Sequence, residues 1–395
     1  MPIIRNQRNM SKVAIAKCHQ YELELVKSQI AKTLNFLGGL ESLIPKDSKV
    51  FIKMNCLGPF PPFMAITTNP IFVKAVIQLV KTRTENIIIG DNPALKDLIH
   101  VMKKNGIYDA IMDENVTIFN GKNQISISNP QAKIYNRFEV SQEMMDVDVL
   151  ISLPKMKTHS LTYVSLAQKN FFGTIYGMSK GSWHMKASNP LQFGEALNDL
   201  YGAILKTMAG KKIIHILDGI VGLEGDGPST AGHPKIAEVI MASEDAISLD
   251  RVAIEIMHLD NSRAFINHIA VERGFGEGNL KKIEILGEPL SAFSDLQFAP
   301  PGNSLSQFGL KILKIKPLRN FVLEHPLIDH QKCLKCGECT RICPPKAMTI
   351  QPGKFPALKM SLCIRCWCCA EVCPQNAIKK SKRPLTGRLV LKSRL

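Results

Sequence analysis

Nine of the eleven cysteines fall between residues 333 and 373, in two runs of matching spacing. The first reads Cys333-Leu-Lys-Cys336-Gly-Glu-Cys339-Thr-Arg-Ile-Cys343-Pro344. The second reads Cys363-Ile-Arg-Cys366-Trp-Cys368-Cys369-Ala-Glu-Val-Cys373-Pro374. Each contains C-x2-C-x2-C-x3-C-P. Three cysteines on a tight loop reach three irons of one cubane, and the fourth points away to the other cluster. The spacing therefore predicts two [4Fe–4S] clusters. One is expected on Cys333, Cys336, Cys339 and Cys373, the other on Cys363, Cys366, Cys369 and Cys343. Pro344 and Pro374 turn the chain after the last ligand without adding an N–H. The remaining loop N–H groups are placed to point at sulfur. Structural zinc on paired C-x2–4-C units and a disulfide knot are the alternatives. Two complete runs, each closed by proline, fit them poorly. Cys368 adjoins Cys369 and cannot serve the same cluster corner. It is read as a buried thiol, and it is the one residue that could alter the ligand set.

A second candidate set lies upstream. Pro154-Lys155-Met156-Lys157-Thr158-His159 follows an apolar strand, and Lys169-Asn170-Phe171-Phe172-Gly173 comes soon after. Lys155, Lys157 and Lys169 could surround an anionic ligand, and His159 could exchange a proton near neutral pH. Surface lysines with a capping histidine are the bland alternative. Asp91 and Asp218 end strand candidates. With Glu224 and Asp226 in Gly222–Pro228, they could orient a ligand or hold a hard cation, or simply bond within turns. The spacing matches neither an EF-hand nor a Walker loop, and no G-x-G-x-x-G follows a strand.

These residues must be carried by a framework. Strands are expected at Lys12–Ala16, Lys49–Met54, Asn86–Ile89, Asp148–Leu153, Lys212–Leu217, Glu238–Ala242 and Lys282–Leu286, with helices over Glu22–Leu37, 69–83, 93–104, Phe193–Met208, 243–250 and Asn261–Glu272. A hairpin is expected around Asn120-Gly121, with arms Val116–Phe119 and Gln124–Ile127. Trp183-His184 sits in a segment that reads as a loop or lid, its ring either core filler or platform. Strands alternating with helix-length crossovers predict an α/β fold. It has a large, mainly parallel sheet covered by helices, with functional residues at strand carboxyl ends, and a small iron–sulfur domain behind it. The expected division is 1–290 for the α/β domain, 291–325 for a connector, 326–380 for the cluster domain and 381–395 for a basic tail.

The chain of 395 residues carries a formal charge of +16. Seven Lys or Arg and no acid lie between Asn376 and Leu395. The tail is read as a solvated segment or a dock for an acidic redox protein or reductase. Nucleic acid is disfavoured because no zinc-finger or aromatic–basic RNA motif is present. Cys18 and Cys56 are read as isolated thiols. Reduced thiolates, a polar start and no apolar run of about 18 to 20 residues give a cytoplasmic expectation without a transmembrane segment.

Several segments together resemble the DUF362 family of iron–sulfur proteins across most of Lys12–Gly287. They are Lys53-Met54-Asn55, Gly90-Asp91, Leu153–His159, Lys169–Gly173, Asp218-Gly219 with Glu224–Pro228, and Ala242–Ala246. The cysteine runs resemble a bacterial-type dicluster ferredoxin. The resemblance supports the domain division and the site residues but implies no reaction. The expected function is electron transfer through two clusters, to or from a partner or an anionic substrate held by the α/β domain. In it, Lys155, Lys157, His159 and Lys169 bind the anion, His159 is the proton donor, and Asp91, Asp218 and Asp226 orient the substrate or hold a cation. A non-enzymatic ferredoxin-type adaptor that reduces a separate reductase, or a cofactor- or metal-handling role, stands beside it.

Overall fold

The computed structural model describes residues 10–94, 96–176, 183, 190–302 and 324–381. The connector expected at Gly309–Phe321, His184 and the tail beyond Ser381 lie outside them.

The first strand, β1 (Ser11–Lys17), is an apolar run with its centre fully buried. The helix Leu23–Phe36 follows, capped by Glu22, whose carboxylate accepts from the Glu24 and Leu25 N–H groups. β2 (Val50–Lys53) is buried along its whole length. The helix Pro70–Lys81 starts as its sequence predicts: Asn69 caps the Ile71 N–H and Pro70 stands at the first turn. β3 (Ile87–Gly90) leads to a helix that begins only at Leu98, because Asp97 takes the cap by accepting from the His100 N–H. The expected helix start near Pro93 is thus irregular chain.

The hairpin around Asn120-Gly121 does not form. β4 (Thr117–Ile118) pairs in parallel with β3, and β5 (Gln124–Ser128) pairs antiparallel with β6 (Arg137–Ser141). Trp183 is buried, stacked on Phe138 with ring centroids 4.9 Å apart and edge-on to Tyr135. That is the core-filler reading.

β7 (Val149–Ser152) is followed after two residues by β8 (Lys155–His159) and then β9 (Tyr163–Ser165). β10 (Lys212–Gly225) and β11 (Gly232–Ser243) are far longer than the sequence suggests, and β12 (Ile283–Gly287) closes the edge. The large sheet runs β12-β1-β11-β10-β7-β2-β3-β4. Its β10-β7-β2-β3-β4 half is parallel, and β11 runs antiparallel to both neighbours. Fourteen residues of β10 outrun four of β7. Its second half would be an unpaired edge, and β8 docks there in parallel, matching Lys155 to Asp218 and Lys157 to Leu223. The segment noted only as following a strand is therefore a strand itself.

The C-terminal module is built from β13 (Pro326–Ile328), β14 (Met348–Thr349), β15 (Ala357–Leu358) and β16 (Ile378–Lys380), paired as β13–β16 and β14–β15. Among the described residues no helix is long and apolar enough to cross a membrane.

Candidate functional site

In the module, the two cysteine runs have superimposable backbone logic. Left-handed residues occur at Lys335, Gly337 and Lys346 in one half, and at Arg365, Trp367 and Asn376 in the other, each pair thirty positions apart. Alternating handedness curls a loop so that successive N–H groups face inward. Gly337 adopts φ of 77° without steric cost, whereas Trp367 holds φ of 64° against it. Short helices, Glu338–Ile342 and Cys368–Glu371, then carry the chain away.

Cys333, Cys336, Cys339 and Cys373 ring one cavity, three from the first run and the last from the second. Cys343 lies within electrostatic reach of Cys363, Cys366 and Cys369. Backbone donors point at the two crossing sulfurs. The Ala377 N–H donates to Cys373 Sγ at 3.1 Å. The Met348, Ala347 and Lys346 N–H groups lie close enough to the Cys343 thiol to favour its thiolate, while the Lys346 N–H itself donates to the Cys343 carbonyl at 3.1 Å. Among the described residues, no three or more His, Cys, Asp or Glu side chains gather as a single metal ion would require. Thiols around a void, with N–H groups aimed at sulfur, fit cubane clusters. Cys368 is buried, and its thiol, beside Cys366, pulls the Cys366 thiol pKa down.

In the α/β domain, β8 sets the site. Side chains two apart on a strand share a face, so Lys155, Lys157 and His159 point the same way while Met156 points to the other. All three are almost completely buried, which excludes the surface-lysine alternative. The structure then separates them. Lys155 and Asp218 form a buried ion pair, Nζ to Oδ2 2.8 Å, completed by Tyr21, whose hydroxyl donates to Asp218 at 2.7 Å and accepts from Lys155 at 2.7 Å. Asp218 also accepts the Asn69 N–H. This pair joins β8 to β10, and neither residue lines the cavity shared by Lys157, His159 and Lys169.

Lys157, His159 and Lys169 do converge on one cavity of about 100 Å3 between the α/β domain and the module. Its polar wall adds Asn55, Asp91 and Asn170, and its apolar wall includes Leu57, Phe172 and Phe193. The module contributes Ile342, Cys368, Glu371 and Val372. Lys157 donates to Asn55 Oδ1 and, at 2.8 Å, to the Ile66 carbonyl. Burial, then the charges of Lys169 and Lys155, push its pKa down to about 7. Burial pushes Lys169 down to about 8, against the pull of Glu371 and Cys368. Among the described residues, Lys169 makes no hydrogen bond or ion pair at contact distance. His159 Nδ1 accepts the Leu161 N–H at 3.0 Å, so a proton on the ring sits at Nε2, which lies 3.6 Å from Glu371. Burial raises the Glu371 carboxyl above the usual carboxylate range, with Lys169 and Lys157 opposing.

A hidden framework holds this wall. Lys53 and Asp91 form a second buried pair at 2.9 Å. Asp91 also accepts the Cys56 and Asn92 N–H groups. Asn170 accepts from Lys53 and Asn55 and donates to Ser152. Gly173 is required here, since a Cβ would lie 2.3 Å from Asp91 Oδ1 and 2.5 Å from Lys53 Nζ. Glu224 accepts the Ala299 N–H, and Asp226 pairs with Lys380 of the module at 2.6 Å. The carboxylates suggested for a cation are thus dispersed, each with its own partner. Sequence reasoning missed Lys53, Asn170 and Gly173 as site residues, although their motifs stood out. It also missed Glu371, which carries no local signal beyond being an acid among cysteines.

Family comparisons agree with this architecture. Residues 50–255 match the family described as "Domain of unknown function (DUF362)", and residues 325–374 match a "4Fe-4S dicluster domain". A thylakoid-associated protein of Synechocystis is 32% identical over 251 residues, which is 63% of this chain and 75% of that protein. Among solved structures, a Thermotoga maritima protein aligns with TM-score 0.38 at 13% identity. The alignment covers 58% of this chain and only 57% of that one. The lactate racemase apoprotein of Thermoanaerobacterium thermosaccharolyticum aligns with TM-score 0.40 at 11% identity, covering 80% and 92%. The chain belongs to the DUF362 family and joins that domain to a C-terminal module for two [4Fe–4S] clusters.

Proposed function

We propose that this iron–sulfur protein moves electrons between a redox partner and a small anionic substrate held in the cavity between its two domains. One observation carries the reading. Lys169, a partly buried cation with no contact partner among the described residues, faces the same cavity as Cys368, which adjoins the proposed cluster ligand Cys369. The cluster ligands in this reading are Cys333, Cys336, Cys339 and Cys373 for one site and Cys363, Cys366, Cys369 and Cys343 for the other. When bound, the two clusters would each supply one electron at a time.

The chain's own residues do the rest. Lys157 and Lys169 hold the anion by charge, and Asn55 and Asn170 fix its orientation. Phe172 and Phe193 exclude water, which strengthens those interactions. His159 presents its Nε2 proton to the cavity, and Glu371 stabilises the charged ring. Lys155, Asp218 and Tyr21 are positioning residues that keep β8 in register.

Anaerobic iron and sulfide analysis should find about eight irons, with EPR signals after reduction. Reduced protein is then mixed with short carboxylates and inorganic oxyanions, and reoxidation is followed optically. An anion that reoxidises wild type but not Lys169→Met protein supports the site. Reoxidation equal in both, with clusters intact, rejects the cavity and leaves an adaptor that reduces a separate reductase.

A further inference from the structure

The two cysteine runs differ in what surrounds them. Cys363, Cys368 and Cys369 are buried, and Cys368 faces the α/β domain. Cys336 is exposed. Leu334, which lines the cavity ringed by Cys333, Cys336, Cys339 and Cys373, is 66% exposed. One end of the module therefore abuts the candidate substrate cavity and the other meets solvent.

The solvent end has a built face. Phe355 stacks on His330 with centroids 4.2 Å apart. Lys335 lies over the Phe355 ring at 4.5 Å and donates to the Gly353 carbonyl at 2.9 Å, tying the loop of Lys354 to the loop of Cys336. Lys332, Lys335 and Lys354 are all exposed. Residues 324–381 contain nine Lys or Arg and four acids. Three of those acids already have a place: Asp329 pairs with Lys379, Glu338, although it lines the cavity of Leu334, pairs with Arg341 and Lys96, and Glu371 faces the inner cavity. None of the exposed lysines of this face has a carboxylate within ion-pair distance among the described residues.

We propose that Lys332, Leu334, Lys335, Cys336 and Lys354 form the docking face for an acidic redox protein, through which electrons reach the cluster nearest solvent. The proposal rests on the two-cluster reading of the module but not on the identity of any substrate. Positive charge around a single exposed apolar residue, over the least covered cluster site, favours a partner with a negative rim. Steering by such charges raises association rates by roughly 10- to 1,000-fold and fades with salt.

The probe is photoreduced flavodoxin, a small acidic flavoprotein, reacting with the anaerobic, cluster-loaded chain. One electron leaves the flavin hydroquinone, giving the semiquinone, and one cluster passes from the 2+ to the 1+ state. The variant carries Lys332→Glu, Lys335→Glu and Lys354→Glu. A control carries Lys122→Glu, Lys281→Glu and Lys282→Glu on the α/β domain, with the same change in net charge. The face variant should lose at least about tenfold in second-order rate at low salt and most of its salt dependence. Its affinity for oxidised flavodoxin, measured by calorimetry, should fall in parallel. Reduction by methyl viologen radical and iron content should match wild type. Equal losses in the control, or an unchanged face variant, overturn the proposal. If the reversal variant loses iron, the Lys→Gln triple variant tests the same face without placing new carboxylates beside the cluster: a slower, less salt-dependent reaction supports docking there, and an unchanged one overturns it.

Discussion

Replacing Lys157 with Met should reverse the order of stability between acidic and alkaline pH. Lys157 is fully buried, and its pKa falls from the ordinary 10.5 to about 7. Between those values the unfolded chain binds a proton that the folded chain lacks, so stability rises with pH across the window. Below about 7 both states are protonated and the full cost of burying the charge is present. Three and a half pH units, 10.5 minus 7, at about 1.4 kcal/mol each set a ceiling of about 5 kcal/mol on that cost. Met removes it. Met also leaves Asn55 Oδ1 and the Ile66 carbonyl without their donor, at about 1–3 kcal/mol. The variant should therefore be the more stable protein at pH 6, by about 2–4 kcal/mol, and the less stable one near pH 10. Anaerobic thermal unfolding of cluster-loaded protein across that range would show the curves crossing. Parallel curves, with one protein ahead at every pH, would refute the reasoning. A lysine kept at such a cost fits a group that a bound anion is meant to neutralise.

Other expectations follow from the same contacts. Gly173→Ala drives a methyl into the Lys53–Asp91 pair and should destabilise by about 3–5 kcal/mol, seen as a lowered melting temperature or insoluble expression. Tyr21→Phe removes hydrogen bonds from Asp218, Lys155 and the Val221 N–H, costing about 1–3 kcal/mol while iron content stays unchanged. Cys369→Ala should lose the iron of one cluster. Cys368→Ala should keep about eight irons, because Cys369 fills the third position of the C-x2-C-x2-C run. Equal iron loss in both variants would make Cys368 a ligand.

The sequence alone determined the cluster chemistry, because four ligands at fixed offsets on a tight loop are a local property. The duplicated left-handed positions thirty residues apart express the same fact in backbone form. Caps such as Asn69-Pro70 and apolar runs such as Ile87–Gly90 were legible for the same reason, since their causes lie within a few residues. The hairpin at Asn120-Gly121 misled because a turn signal does not say which strand each arm will join, and β3 outcompeted β5 for β4. Only the tertiary structure decided which of the lysines line the cavity. Lys155, Lys157 and His159 look alike along β8. Register against β10 gives Lys155 an aspartate, while Lys157 and His159 face the module. Glu371 and Cys368 join the same cavity from more than two hundred residues away, through packing that no local pattern encodes. Charge compensation inside a protein depends on which groups are brought near one another, and that is settled by the fold.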